Sequence, residues 1–169
     1  IYLLIAFSQG AAVGAGGIVA QYLGAKDKKS VSDAVHTSLV IAGILGIVLT
    51  IAGIVLSRQL LEWMKTPEEV MEQAVTYFRL YSAGMFFGIV YNMAAGILNA
   101  AGNSKRPLLY LAVASFTNII LDILFIAILD MGVAGAAIAT DISQAVSCIL
   151  SMAFLMRVKD SYQVSLKKL

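Results

Sequence analysis

The chain has 169 residues, 60% of them hydrophobic and 13% charged, with a mean hydropathy of +0.87. A water-soluble domain carries about 25% charged residues to keep its surface solvated. At this length the excess apolar surface cannot all be hidden from water, so lipid must cover part of it. The net charge of +2 excludes a strongly basic surface for nucleic acid, and the single cysteine, Cys148, excludes an intrachain disulfide or a cysteine-built zinc site.

Taken in chain order, apolar spans are predicted at about 1–25, 35–57, 74–102, 107–129 and 132–156, followed by a basic tail over 157–169. Each is long enough to cross a hydrocarbon core of about 30 Å, which takes about 20 helical residues. Only helices satisfy their own backbone in lipid. The expected fold is therefore all-α, a polytopic bundle of five transmembrane helices. Ile1 stands inside the first apolar run, which is too long for a signal-peptide core. The natural chain is thus expected to be longer.

The connections are short: Gly24–Ser30, Arg58 to about Glu72, Asn103–Pro107 and Asp130–Gly132. The second contains an amphipathic piece, Arg58 to Lys65, with Trp63 expected at headgroup level. Thr66 is the expected N-cap of the next helix, with Pro67 at its first position and Glu68 and Glu69 in its first turn. Lys26, Lys28, Lys29, Lys105, Arg106, Arg157, Lys159, Lys167 and Lys168 lie on one side of the predicted topology, against Arg58 and Lys65 on the other. That asymmetry puts the connections near 24–34 and 103–107, and the tail, in the cytoplasm. The membrane implied is the plasma (inner) membrane. Gly10 and Gly14, continued by Ala12 and Gly16, and then Gly84 and Gly88, have the spacing that lets helix backbones approach closely.

Ionisable groups inside spans are costly and are therefore functional candidates. Asp122 shares a helix face with Asn118 and Ser115, at spacings of four and three. The next span carries a polar stripe of Thr140, Gln144, Ser147 and Ser151. Asp122 and Thr140 stand equally far from the turn near Met131 and are expected at one depth. A carboxylate, an amide oxygen and a hydroxyl there would suit a small hard cation such as Na+. The same acid, desolvated, would instead carry a proton. Asp141 adjoins Thr140 in sequence, and either joins that cavity as a second acid or bonds another helix. Arg79 is expected to be a snorkelling or structural residue paired with an acid. Tyr91 and Asn92 are the deeper cavity candidates on their span, and His36 is expected at the interface rather than as a ligand. No nucleophile elbow, phosphate loop or metalloprotease motif occurs, so no enzyme is expected.

Five stretches carry a family resemblance: Gln21-Tyr-Leu-Gly-Ala-Lys-Asp27, Thr66-Pro-Glu-Glu69, Tyr77-Phe-Arg-Leu-Tyr81, Gly96-Ile-Leu-Asn-Ala-Ala-Gly-Asn-Ser-Lys-Arg-Pro107 and Met131-Gly-Val-Ala-Gly-Ala-Ala-Ile-Ala-Thr140. In this order they resemble the multidrug and toxic compound extrusion (MATE) family. The resemblance implies spans two to six of the N-terminal lobe of a twelve-span transporter. It also implies export of drugs or organic cations in exchange for Na+ or H+, with Asn118, Asp122 and Thr140 matching three of four expected ligands of the coupling cation. No cofactor beyond that ion is implied, and the partners are the bilayer, small organic cations and the remaining spans. Asn99 and Asn103 stand where many members have Arg and Asp, and Asp141 where an apolar residue is usual, which leaves ion and substrate open. A flippase for lipid-linked precursors, or a membrane scaffold without transport, are the alternative functions.

Overall fold

A computed structural model describes residues 2–165; Lys167 and Lys168 of the basic tail lie outside the described residues. Helix α1 spans Tyr2–Gly24, α2 Lys28–Trp63, α3 Glu68–Ala100, α4 Lys105–Asp122 and α5 Gly132–Arg157, with a π-helical segment, Ile123–Ile128, continuing α4. The all-α bundle expected from hydropathy is the fold. Helices α2, α3, α4 with its π turn, and α5 are each long and apolar enough to cross a membrane. Helix α1 has 23 residues and no charged side chain, and at 1.5 Å per residue reaches about 35 Å.

Helix α3 is the central element, packing against α1, α2 and α5, while α4 packs chiefly on α5. On α2 the buried residues Val35, Leu39, Ala42, Gly46, Gly53 and Ser57 recur at helical spacing toward α3. Ile44, Ile47, Val48, Ile51 and Val55 on its other side are exposed. That apolar outer surface is the lipid-facing one.

Two helices run past the spans expected from composition. Helix α2 has 36 residues, about 54 Å, so the amphipathic piece after Arg58 continues the helix instead of forming part of a connection. Its Leu61 joins Met71, Val75 and Phe78 of α3 in a small apolar cluster. Arg58 pairs there with Glu62 at 3.4 Å and Glu72 at 3.1 Å. Pro67, rather than Thr66, occupies the cap position of α3, and makes no side-chain cap bond. A helix start leaves its first N–H groups without intrahelical partners, so a proline, which has no N–H, is tolerated at the cap as it is at the first position.

The first three connections repeat one motif. The N–H groups of Asp27, Thr66 and Asn103 reach back to the carbonyls of Tyr22, Leu61 and Leu98. One residue earlier, Lys26, Lys65 and Gly102 bond Leu23, Glu62 and Asn99 from positive φ, at 57°, 55° and 76°. This paired bonding satisfies the last carbonyls of each helix. Two lysines occupy a conformation that normally selects glycine. Asp27 then caps α2, its carboxylate accepting from the Ser30 N–H at 3.1 Å and the Ser30 hydroxyl at 2.6 Å. Those bonds hold its carboxyl below the usual range.

The tail does not trail away from α5. The Val164 N–H donates to the Leu155 carbonyl at 2.9 Å, and Tyr162 and Val164 are buried in the main core with Val31, Val35 and Leu98. His36, near the start of α2, is buried against the tail. The Ser165 N–H donates to its Nε2 at 2.9 Å, so its Nδ1–H donates to the Ser32 carbonyl at 2.7 Å. The α1–α2 and α3–α4 connections and the tail thus meet at one end of the bundle.

The glycine pattern is also redistributed. A Cβ built at Gly10 or Gly14 meets nothing within 4 Å, so that pair makes no helix contact among the described residues. The close approach lies between Gly16 and Gly96, where a Cβ at Gly96 would stand 2.6 Å from the Ala12 carbonyl oxygen. Gly84 and Gly88 serve a different purpose: each is a slot filled by a polar side chain of α5, Asp141 at Gly84 and Gln144 at Gly88.

Candidate functional site

Helices α1, α3, α4 and α5 enclose a cavity of about 260 Å³ with a mixed wall. Its polar lining comes from Ser8 and Gln9 of α1, Tyr91 and Asn92 of α3, Ser115 and Asn118 of α4, and Thr140, Ser143, Gln144 and Ser147 of α5. Seven of the residues singled out from sequence therefore share one cavity: Tyr91, Asn92, Ser115, Asn118, Thr140, Gln144 and Ser147. Asp122 and Asp141 do not line it.

The wall is held by local and interhelical hydrogen bonds. The Thr140 hydroxyl donates to the Ala136 carbonyl at 2.9 Å, Ser143 to Thr140 at 2.8 Å and Ser147 to Gln144 at 2.9 Å. Each hydroxyl proton is spent on its own helix, which leaves oxygen lone pairs available toward the cavity. Asn92 Nδ2 donates to Ser8 Oγ at 3.0 Å, tying α3 to α1. The Tyr91 hydroxyl donates to the Pro107 carbonyl at 2.9 Å, tying α3 to the start of α4. Tyr91 and Asn92 thus both line the cavity and tie helices together.

Asp122 is the last residue of α4, one turn from Asn118, immediately before the π segment. Its Oδ1 and the Asn118 Nδ2 are both buried without a hydrogen-bond partner. In the π segment the Leu129 N–H bonds the carbonyl five residues back, Leu124, at 3.0 Å. Such wide turns advance less per residue than α-helix does. Asn118, one turn before Asp122, lines the cavity together with Ser115 of the same helix and Thr140 of α5. Asp141 instead lies on Gly84 of α3.

Arg79 is not paired with an acid among the described residues: its Nε donates to Ser57 Oγ at 3.0 Å. Tyr77 and Tyr81 stack with ring centroids 6.0 Å apart. The described residues hold no group of three or more His, Cys, Asp or Glu side chains able to hold a metal. Ser8, Gln9 and Ser143 went unnoticed in the sequence because they are single uncharged polar residues in apolar runs. The available signal was the adjacent pair Ser8–Gln9 inside an otherwise apolar or small-residue span.

Fold and cavity together define a multi-pass membrane protein with a cavity of mixed polar and apolar lining between its helices. The chain belongs to the MatE family, whose family model matches residues 1–124. It is 34% identical over 142 residues to the probable multidrug resistance protein YpnP of Bacillus subtilis, covering 84% of this chain and 32% of that protein. Among solved structures it matches an inward-facing multidrug resistance MATE transporter of the MOP superfamily, with a TM-score of 0.90 and 33% identity over 98% of this chain and 38% of that one. It also matches a MATE transporter in the bent conformation, with a TM-score of 0.92 and 32% identity over 99% of this chain and 38% of that one. The chain thus spans about a third of the length of these relatives.

Proposed function

We propose that the chain is five helices of the N-terminal lobe of a secondary efflux antiporter. The full transporter exports drugs or organic cations in exchange for Na+ or H+, and Asn118, Asp122 and Thr140 serve the coupling ion. The observation that carries this reading is an orphaned acid oxygen on α4, Asp122 Oδ1. Asn118 opens on a chamber whose hydroxyl oxygens have their lone pairs free. A carboxyl without a partner inside a bilayer is costly unless it meets a cation or a proton. Binding a cation better in one conformation than another is all that coupling requires.

The names of the relatives support drug efflux, and the meeting of the basic connections and tail at one end supports a cytoplasmic face there. A flippase for lipid-linked precursors would want cationic groups in its chamber. The described lining residues include no Lys or Arg, and Arg79 is turned to Ser57. In cells carrying the full transporter, Asp122→Asn is expected to abolish ion-driven export of a fluorescent organic cation with expression unchanged. Export at the wild-type rate would refute the assignment.

A further inference from the structure

A second cavity, of about 450 Å³, lies between α1 and α2 and shares no lining residue with the first. Ala15 and Ile18 of α1, Ile41 of α2 and Met93 of α3 give it an apolar wall, with Tyr22 and Asp33 near the α1–α2 connection. Helix α1 closes on α3 at Ala12, Gly16 and Gly96, so this groove is a space of its own. Ile18, Tyr22 and Ile41 remain exposed, and no other described helix covers them. Asp33 is the single charged group among the described lining residues, and it is exposed. Lys29, one turn before it, makes no ion pair with it, and Lys26 and Lys28 line a separate recess with Ser161. The groove thus offers an apolar trough, an aromatic ring and one uncommitted negative charge.

We propose that this groove binds a lipophilic organic cation, its apolar body in the trough and its charge beside Asp33. Burial of apolar surface supplies the affinity, while the carboxylate and the Tyr22 ring select a positive charge. The volume lies within the range of small-molecule sites, about 300–1,000 Å³. A hard metal ion needs several oxygen ligands and gains little from one exposed carboxylate. The Ser30 hydroxyl, also in the lining, is already given to Asp27. An anionic lipid headgroup meets the wrong sign of charge at Asp33.

The site stands on this geometry, and only the bound cation's role as cargo rests on the antiporter reading above. The test uses the full transporter in lipid nanodiscs and a diazirine-bearing tetraphenylphosphonium, with the labelled peptides located by mass spectrometry. Wild type should carry label around Tyr22 and Thr37. Asp33→Asn changes an exposed side chain without an ion pair, so the fold should survive. It should weaken labelling about fivefold, the value of one partly exposed ion pair, and Asp33→Glu should restore it. Thr37→Trp fills the groove and should abolish the label with Asp33 still present. The uncharged tetraphenylmethane probe of the same shape should label wild type no better than the phosphonium labels Asp33→Asn. Equal labelling of wild type and Asp33→Asn, or by the charged and uncharged probes, overturns the proposal and leaves the groove a lipid cleft. Loss of this label in Asp122→Asn would overturn it too, by tying the probe to the first cavity. Normal export by Asp122→Asn would instead refute the ion site of the preceding section, and a label retained there would still support this one.

Discussion

Gly96→Ala measures how tightly α1 is set against the central helix. In the structure a Cβ at Gly96 stands 2.6 Å from the Ala12 carbonyl oxygen and 3.2 Å from its carbon, against an ordinary contact distance of 3.4 Å or more. The obstacle is backbone, so no rotamer change relieves it, and α1 must withdraw by about 0.8 Å or tilt. A gap of that order forfeits a quarter to a half of the dispersion energy of each contact it opens. Overpacking of this kind costs about 1–3 kcal/mol. Alanine returns about 1 kcal/mol of helix propensity over glycine, leaving a net loss of about 0–2 kcal/mol. Gly14→Ala is the internal control on the same helix pair, since a Cβ there meets nothing within 4 Å. It should be neutral or stabilise by up to about 1 kcal/mol. Thermal unfolding of the purified variants in one detergent reads the difference. Equal midpoints for Gly96→Ala and Gly14→Ala, or a higher one for Gly96→Ala, would refute the reasoning.

Other consequences concern the chamber wall and a helix end. Tyr91→Phe removes the donor to the Pro107 carbonyl and should lower stability by about 1 kcal/mol, read by the same melting assay; an unchanged midpoint would show the bond contributes nothing. Lys65→Gly relieves a left-handed residue at φ 55° that costs about 1–2 kcal/mol in a non-glycine, partly offset by the greater entropy of an unfolded glycine. A modest rise in melting temperature is expected, and a fall would mean that the lysine side chain stabilises that turn.

The number and kind of helices were legible because apolar run length reports directly on lipid contact. Helix ends were less so. Arg58 to Trp63 reads as a polar connection by charge, but Leu61 buries against α3 and keeps the helix going. The tail reads as basic and solvated, while Tyr162 and Val164 are among its most buried residues. The π segment could not be foreseen, since Ile-Leu-Phe-Ile-Ala-Ile has no residue that marks one. Asn118 and Thr140 share the cavity, while Asp122, the acid that drew the eye in the sequence, does not line it. The glycine spacing was visible, but not what each glycine faces. Gly84 and Gly88 have the sequence signature of backbone contact and receive Asp141 and Gln144 instead.

The central claim is that the α4 acid couples ion entry to export. The most direct measurement is ion flux in proteoliposomes holding the full transporter, with an imposed Na+ or H+ gradient and an organic cation on the opposite side. Wild type should move the two in opposite directions, each stimulating the other, and Asp122→Asn should lose that mutual stimulation. Coupled flux that survives Asp122→Asn would contradict the account.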